Sequence, residues 1–114
     1  MITIGRVNGS VPSGATIIRA DRMTPLGNPF YMKDESHRDA VCDAFQEHLI
    51  TCVTTKSGVL YEALRELYVI CKNNNHVHLQ CWCSPKRCHC DSIKMFIESK
   101  LNQAHSKRLM LIDD

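Results

Sequence analysis

The 114-residue sequence contains no long hydrophobic run. Its apolar stretches reach about four residues, against the ~20 that a membrane-spanning helix needs, so no such helix is expected. Charge of one sign is also scarce: fourteen Lys and Arg against twelve Asp and Glu leave a formal +2. A field that weak gives no reason to expect a polyanionic partner. Aromatic residues are only 6% of the chain, with a single tryptophan, which leaves few platforms on which bases could stack. Nucleic acid is therefore not an expected partner. Glycine and proline are sparse (five and four), and there is neither an internal repeat nor a low-complexity stretch. The opening MITIGRVNGS lacks a basic segment followed by an apolar core, so secretion is not expected and the reading is cytoplasmic.

What remains is ordinary globular composition, 44% hydrophobic and 23% charged. It suits one domain over residues 1–114 with one core. The excess is in cysteine: seven residues, four of them between Cys81 and Cys90. In a reducing compartment these are thiols, and an odd number cannot all pair within one chain.

Ile2 to Val7 and Thr16 to Ala20 are β-branched and read as short strands, separated by Asn8-Gly9 and Pro12-Ser13-Gly14 turns. Pro25-Leu26-Gly27-Asn28-Pro29-Phe30 reads as an ordered loop, since two prolines and a glycine in six residues exclude helix interior. Ser36 and Asp39 have the spacing of a capping box. Behind them Val41, Phe45, Leu49 and Cys52 form one helical stripe, and Leu60, Leu64, Leu67 and Cys71 a second. The asparagines at 73–75 suit a left-handed helix end.

From His76 to Cys83 the period becomes two. Val77, Leu79, Cys81 and Cys83 face one way and His78, Gln80 and Trp82 the other. The tryptophan makes the second face partly apolar, so this strand is expected inside the sheet, covered on both faces, with Trp82 a core anchor. A third helix is expected with Asp91 as its cap and Ile93, Phe96, Ile97 and Leu101 buried. The tail from Lys107 to Asp114 reads as a last strand. Together these elements predict an α/β fold: a small single-domain sandwich, its short, mainly parallel sheet flanked by about three helices.

The loop between the third strand and third helix is the candidate site. Ligands of α/β sheets gather where strands end and helices begin, and a helix N-terminus favours anions. Lys86 and Arg87 add positive charge, which would also raise the thiolate fraction of Cys83 or Cys88. Zinc is the alternative, through Cys81, Cys83, Cys88 and His89, because thiolate and imidazole suit that metal. The spacing is C-x-C rather than the C-x-x-C of a zinc knuckle, however, and it puts Cys81 and Cys83 on one sheet face. A phosphatase-like C-x5-R pattern from Cys81 to Arg87 would need the loop to begin straight after Cys81, where Trp82 and Cys83 still read as strand.

The run LQCWCSPKRCHCDSIKMF, with LGNPF upstream, resembles a bacterial and phage family called domain of unknown function 4326. Its signature is similar to L-x-C-W-C-x-P-x-x-C-H-G-D-x-L, preceded by R-x-S-x-x-G-N-P-F and a further arginine. Arg22, Gly27, Asn28, Pro29, Phe30 and Arg38 stand at the upstream positions. Cys81, Trp82, Cys83, Pro85, Cys88, His89 and Asp91 stand at the downstream ones. The resemblance spans roughly residues 17 to 101. Thr24 replaces the commoner serine. Cys90 replaces the family's glycine, so it is read as a local substitution and not as a ligand. The family brings no activity. Its many phage members imply a small accessory protein of infection, working in the bacterial host's cytosol.

The expectation is thus a protein that binds an anionic, nucleotide-like small molecule between the two loops. Arg22, Gly27, Asn28, Arg38, Trp82, Lys86, Arg87 and Asp91 would line the site. Any thiol chemistry would fall to Cys83 or Cys88, with His89 as proton shuttle. The alternative is a non-enzymatic binding protein, holding structural zinc or a host protein.

Overall fold

Three runs of β-branched and apolar residues form strands: β1 (Ile2–Arg6), β2 (Thr16–Arg19) and β3 (Val77–Cys81). Three helices follow the expected stripes: α1 (Arg38–Thr55), α2 (Val59–Asn73) and α3 (Cys90–Asp113). This is a computed structural model, and it describes the backbone of residues 1–113 and the side chains of residues 1–103. The expected last strand over 107–114 is instead the continuation of α3 as far as Asp113, and Asp114 lies outside the described residues.

The sheet order is β1-β3-β2, with both pairings parallel. The last strand in sequence lies between the first two. Ile2 and Thr16 flank Val77, and Ile4 and Ile18 flank Leu79. Two further hydrogen bonds carry the pairing beyond the outer strands: Val7 N–H donates to Cys81 O and Ala20 N–H to Gln80 O, both at 2.9 Å. The two outer strands therefore end on either side of β3, where the cysteine loop begins.

The apolar core occupies one side of the sheet. Ile2, Ile4, Ile18, Val77, Leu79 and Cys81 point toward Phe45, Leu49, Leu60, Leu64, Leu67, Ile93 and Ile97 of the helices. The other side carries Thr3, Gly5, Ile17, Arg19, His78 and Gln80, with Ile17 and Arg19 exposed. The central position of β3 and its covering on both faces are as expected, but polar His78 and Gln80 and not Trp82 fill the second face. His78 and Gln80 are nevertheless buried among their neighbours. Thr3 Oγ1 lies 2.7 Å from His78 Nδ1 and 2.7 Å from His76 Nε2. Gly5 leaves room for the His78 ring, which a Cβ there would overlap. Burial pushes the His78 pKa down, because the cation would lose its hydration.

The caps differ from the sequence reading in instructive ways. Asp34, not a Ser36–Asp39 box, starts the helical region: its carboxylate accepts the Ser36 N–H at 2.9 Å at the head of a 3-10 turn, Glu35–His37. Asp34 lies just before the stretch in which the apolar period begins, so periodicity gives no sign of it. On α1 the buried residue is Cys42 and not Val41. Asn74 closes α2 with extended backbone (φ −132°), its Nδ2 donating to Ile70 O at 2.7 Å, so the side chain and not a left-handed turn makes the cap. The stripe of α2 is as read.

Candidate functional site

The carboxyl ends of β2 and β3 feed two loops that meet. In the upstream loop Asp21 is the hub. Its buried carboxylate pairs with the Arg19 guanidinium and accepts the Met23 N–H at 3.1 Å. Its carbonyl accepts from Thr24 N–H and Thr24 Oγ1. The Arg19 bond, above all, holds the Asp21 carboxyl below the usual carboxylate range. Gly27 presses on the backbone of Asp21 and Arg22, where any Cβ would overlap main chain, so this glycine serves close approach and not ligand contact. Asn28 is buried and ties the loop to α1: Oδ1 accepts the Phe30 N–H at 2.8 Å and Nδ2 donates to Val41 O at 3.4 Å.

The downstream loop begins directly after Cys81, so Trp82 and Cys83 are not strand. Cys81 and Cys83 therefore do not share a sheet face. That also removes the objection to a C-x5-R cradle, but Arg87 turns away to Asp43 Oδ1 at 2.7 Å and Asp39 Oδ1 at 2.9 Å. Lys86 pairs with Glu35 at 3.2 Å. Arg38 pairs with Glu35 at 2.7 Å and donates to Arg87 O at 2.8 Å. Its cation is favoured by Glu35 first and then by the Cys83 sulfur beside it. Asp91 is the second residue of α3 and not its N-cap as expected; its carboxylate reaches back to accept the Cys88 N–H at 3.2 Å. His89 is buried, with Nε2 2.5 Å from Ala20 O and its ring edge-on to Phe45 at 5.1 Å. Burial pushes its pKa down. The imidazole ties α3 to the end of β2, an arrangement that differs from a solvent-reaching proton shuttle.

Three thiols come together behind this loop. Cys81, Cys88 and Cys90 are buried, their sulfurs all lie within 4.8 Å of one another, and Cys81 and Cys88 are 3.1 Å apart. This group could hold a metal ion. Hydrogen bonds from the Cys88 and Cys90 thiols, aided by the Cys83 and Ser84 amides, pull the Cys81 pKa down, while donating to Cys81 pushes Cys88 up. The set differs from the expected one: Cys83 and His89 fall outside it and Cys90 falls inside. Cys88 lies two residues before α3 and Cys90 opens it, so their sulfurs converge through the turn that leads into the helix, which a reading of Cys90 as a substituted glycine does not anticipate.

In front of the thiols lies a cavity of about 350 Å³ bounded by both loops and α1. Arg22, Asn28, Arg38, Trp82, Cys83, Arg87, Cys88 and His89 all border it; Gly27, Lys86 and Asp91 do not. Trp82 is 51% exposed and not a core anchor. The Arg19 guanidinium lies 5.9 Å from its ring centre. Sequence reasoning missed Asp21, Met23, Phe30, Met32, Val41 and Cys42 on the cavity wall. Phe30 left a trace as the last letter of the G-N-P-F loop, and Asp21 as the first polar residue after a strand. Among the described residues Arg22 has no carboxylate partner; it donates to Phe30 O at 3.2 Å and lies 5.2 Å from the Tyr31 ring centre. A larger hollow of about 620 Å³ on the helical side, between α1, α2 and α3, contains none of the motif residues.

The geometry accompanies a family match. Residues 4–99 match the model of a family described as a domain of unknown function (DUF4326). No curated protein and no solved structure matches the chain. No helix among the described residues is long and apolar enough to cross a membrane.

Proposed function

Because the chain belongs to the DUF4326 family, a membership that brings no activity with it, we propose from the site itself that the protein binds an anionic, nucleotide-like small molecule in the 350 Å³ cavity. One observation carries this reading: the Arg22 guanidinium, which no carboxylate among the described residues claims, and the half-exposed Trp82 ring border the same hollow. Its volume lies within the ~300–1,000 Å³ typical of ligand sites. The other charges around it are already matched, Asp21 by Arg19, Arg38 by Glu35, and Arg87 by Asp39 and Asp43. Arg22 is left to fork onto a phosphate, and Trp82 offers a flat apolar surface to a base. Cys83, half-buried on the wall, is the thiol best placed to meet a bound molecule. The setting this reading assumes is a phage-encoded accessory protein in the host cytosol.

Trp82 is the single tryptophan, so its fluorescence reports on the cavity directly. Nucleoside monophosphates are expected to quench it saturably and the parent nucleosides much less. Arg22→Gln should weaken the monophosphates about 10- to 100-fold, the worth of one charge-assisted contact. No response to a panel of nucleoside mono- and diphosphates at millimolar levels would overturn the reading, as would equal affinity in Arg22→Gln.

A further inference from the structure

We propose that Cys81, Cys88 and Cys90 form a zinc site that clamps the end of β3 to the first turn of α3. The three side chains come from both ends of a loop, yet their sulfurs converge within 4.8 Å in a pocket where each residue is 3% exposed or less. Tetrahedral zinc with Zn–S bonds of ~2.3 Å holds its sulfurs roughly 3.8 Å apart, and a 3.1 Å Cys81–Cys88 separation with all three sulfurs within 4.8 Å needs only sub-ångström to ångström adjustment to meet it. Soft sulfur donors with no carboxylate in the set favour zinc over magnesium or calcium. Three thiolates around one dication leave a net negative charge in a buried place. The amides of Cys83 and Ser84, directed at the Cys81 sulfur, offset it as outer hydrogen bonds do in metal sites. His89 Nε2, 3.9 Å from the Cys90 sulfur, is an imidazole nitrogen beside the thiols and would complete four ligands by exchanging its Ala20 carbonyl for the metal. Binding releases the thiol protons to solvent, and the loop from Trp82 to His89, one wall of the ligand cavity, is fixed at both ends.

The experiment uses the full chain, purified reduced and stripped with a chelator, then titrated with zinc alone. One zinc per chain is expected. Cobalt in its place should give an intense sulfur-to-metal charge-transfer absorption with the visible bands of tetrahedral geometry. Cys90→Ser and Cys88→Ser should each lose at least tenfold in affinity, while Cys83→Ser retains it. Should the serine variants fail to fold, alkylation of the unmodified chain decides the matter. Added zinc is expected to protect Cys81, Cys88 and Cys90 selectively and to leave the Cys83 rate unchanged. Absence of stoichiometric zinc and cobalt binding would overturn the proposal, and so would protection of Cys83 together with the rest. The nucleotide reading stands or falls separately, since Arg22 and Trp82 take no part in this test.

Discussion

The helical layer and the loop end of the sheet are held together by different physics. Between α1, α2, α3 and the inner face of the sheet, contacts are apolar and non-directional: Phe45, Leu64, Leu67, Ile93 and Ile97 are at most 2% exposed, and none is tied by a polar bond. At the carboxyl end of the strands almost every side chain is fixed by a named donor or acceptor, as with Asp21, Asn28, His89 and Asp91. The first region tolerates changes of shape and fails on loss of volume. The second should tolerate loss of volume better than loss of a donor. A ligand cavity belongs in the second, since only directed bonds hold an open hollow against collapse.

The sharpest way to break this comparison is in the helical layer. Phe45→Ala removes a ring that is 0% exposed and leaves a void the layer cannot fill. Urea unfolding should show a loss of about 3–5 kcal/mol, whereas Leu64→Met, which keeps volume, should cost less than about 1.5 kcal/mol. A loss below about 1 kcal/mol for Phe45→Ala would mean that this layer is not the core.

In the loop end the informative substitution conserves size. Asn28→Leu keeps the branched outline of the side chain but abolishes both of its bonds, leaving the Phe30 N–H without its acceptor. We expect about 1–3 kcal/mol, with faster hydrogen exchange at Phe30. Stability unchanged to within about 0.5 kcal/mol would erase the distinction between the two regions.

The same contrast explains what could be read in the sequence. Helix stripes repeat, so Leu60, Leu64, Leu67 and Cys71 were legible from spacing, and alternation around Val77 and Leu79 found the central strand. Alternation carried on too far, into Trp82 and Cys83, because nothing in a period of two marks where pairing stops. The strand runs only as far as outer partners exist, and β1 reaches its last partner at Cys81. The two loops were recognisable as motifs, but motif letters do not say which donors are already engaged. Asn28 and His89 look available in the sequence and are tied into the fold, while Arg22, ordinary in sequence, is the cavity-lining arginine that no carboxylate claims among the described residues. Cys90 joins Cys81 and Cys88 through the geometry of a helix's first turn, which spacing alone does not fix.

The smallest effect lies where the two regions touch at the surface. Glu35, in the turn before α1, meets Arg38 at 2.7 Å and Lys86 of the cysteine loop at 3.2 Å. Arg38 first and Lys86 second pull its carboxyl from 4.5 down to about 2. A depressed folded-state pKa contributes stability above the unfolded value, so this contribution is complete above about pH 4.5 and fades as pH falls toward about 2. The group is exposed and salt screens it, so the observable is its own titration rather than global stability. NMR of the Glu35 side-chain carboxyl should give a midpoint well below 4.5 at low salt. Arg38→Met should raise it strongly and Lys86→Met less, and added salt should raise it in the unmodified protein. A midpoint near 4.5 in the unmodified protein would show that α1 and the cysteine loop are not joined by this carboxylate, leaving Arg87, through Asp39 and Asp43, as the charged tie between the regions.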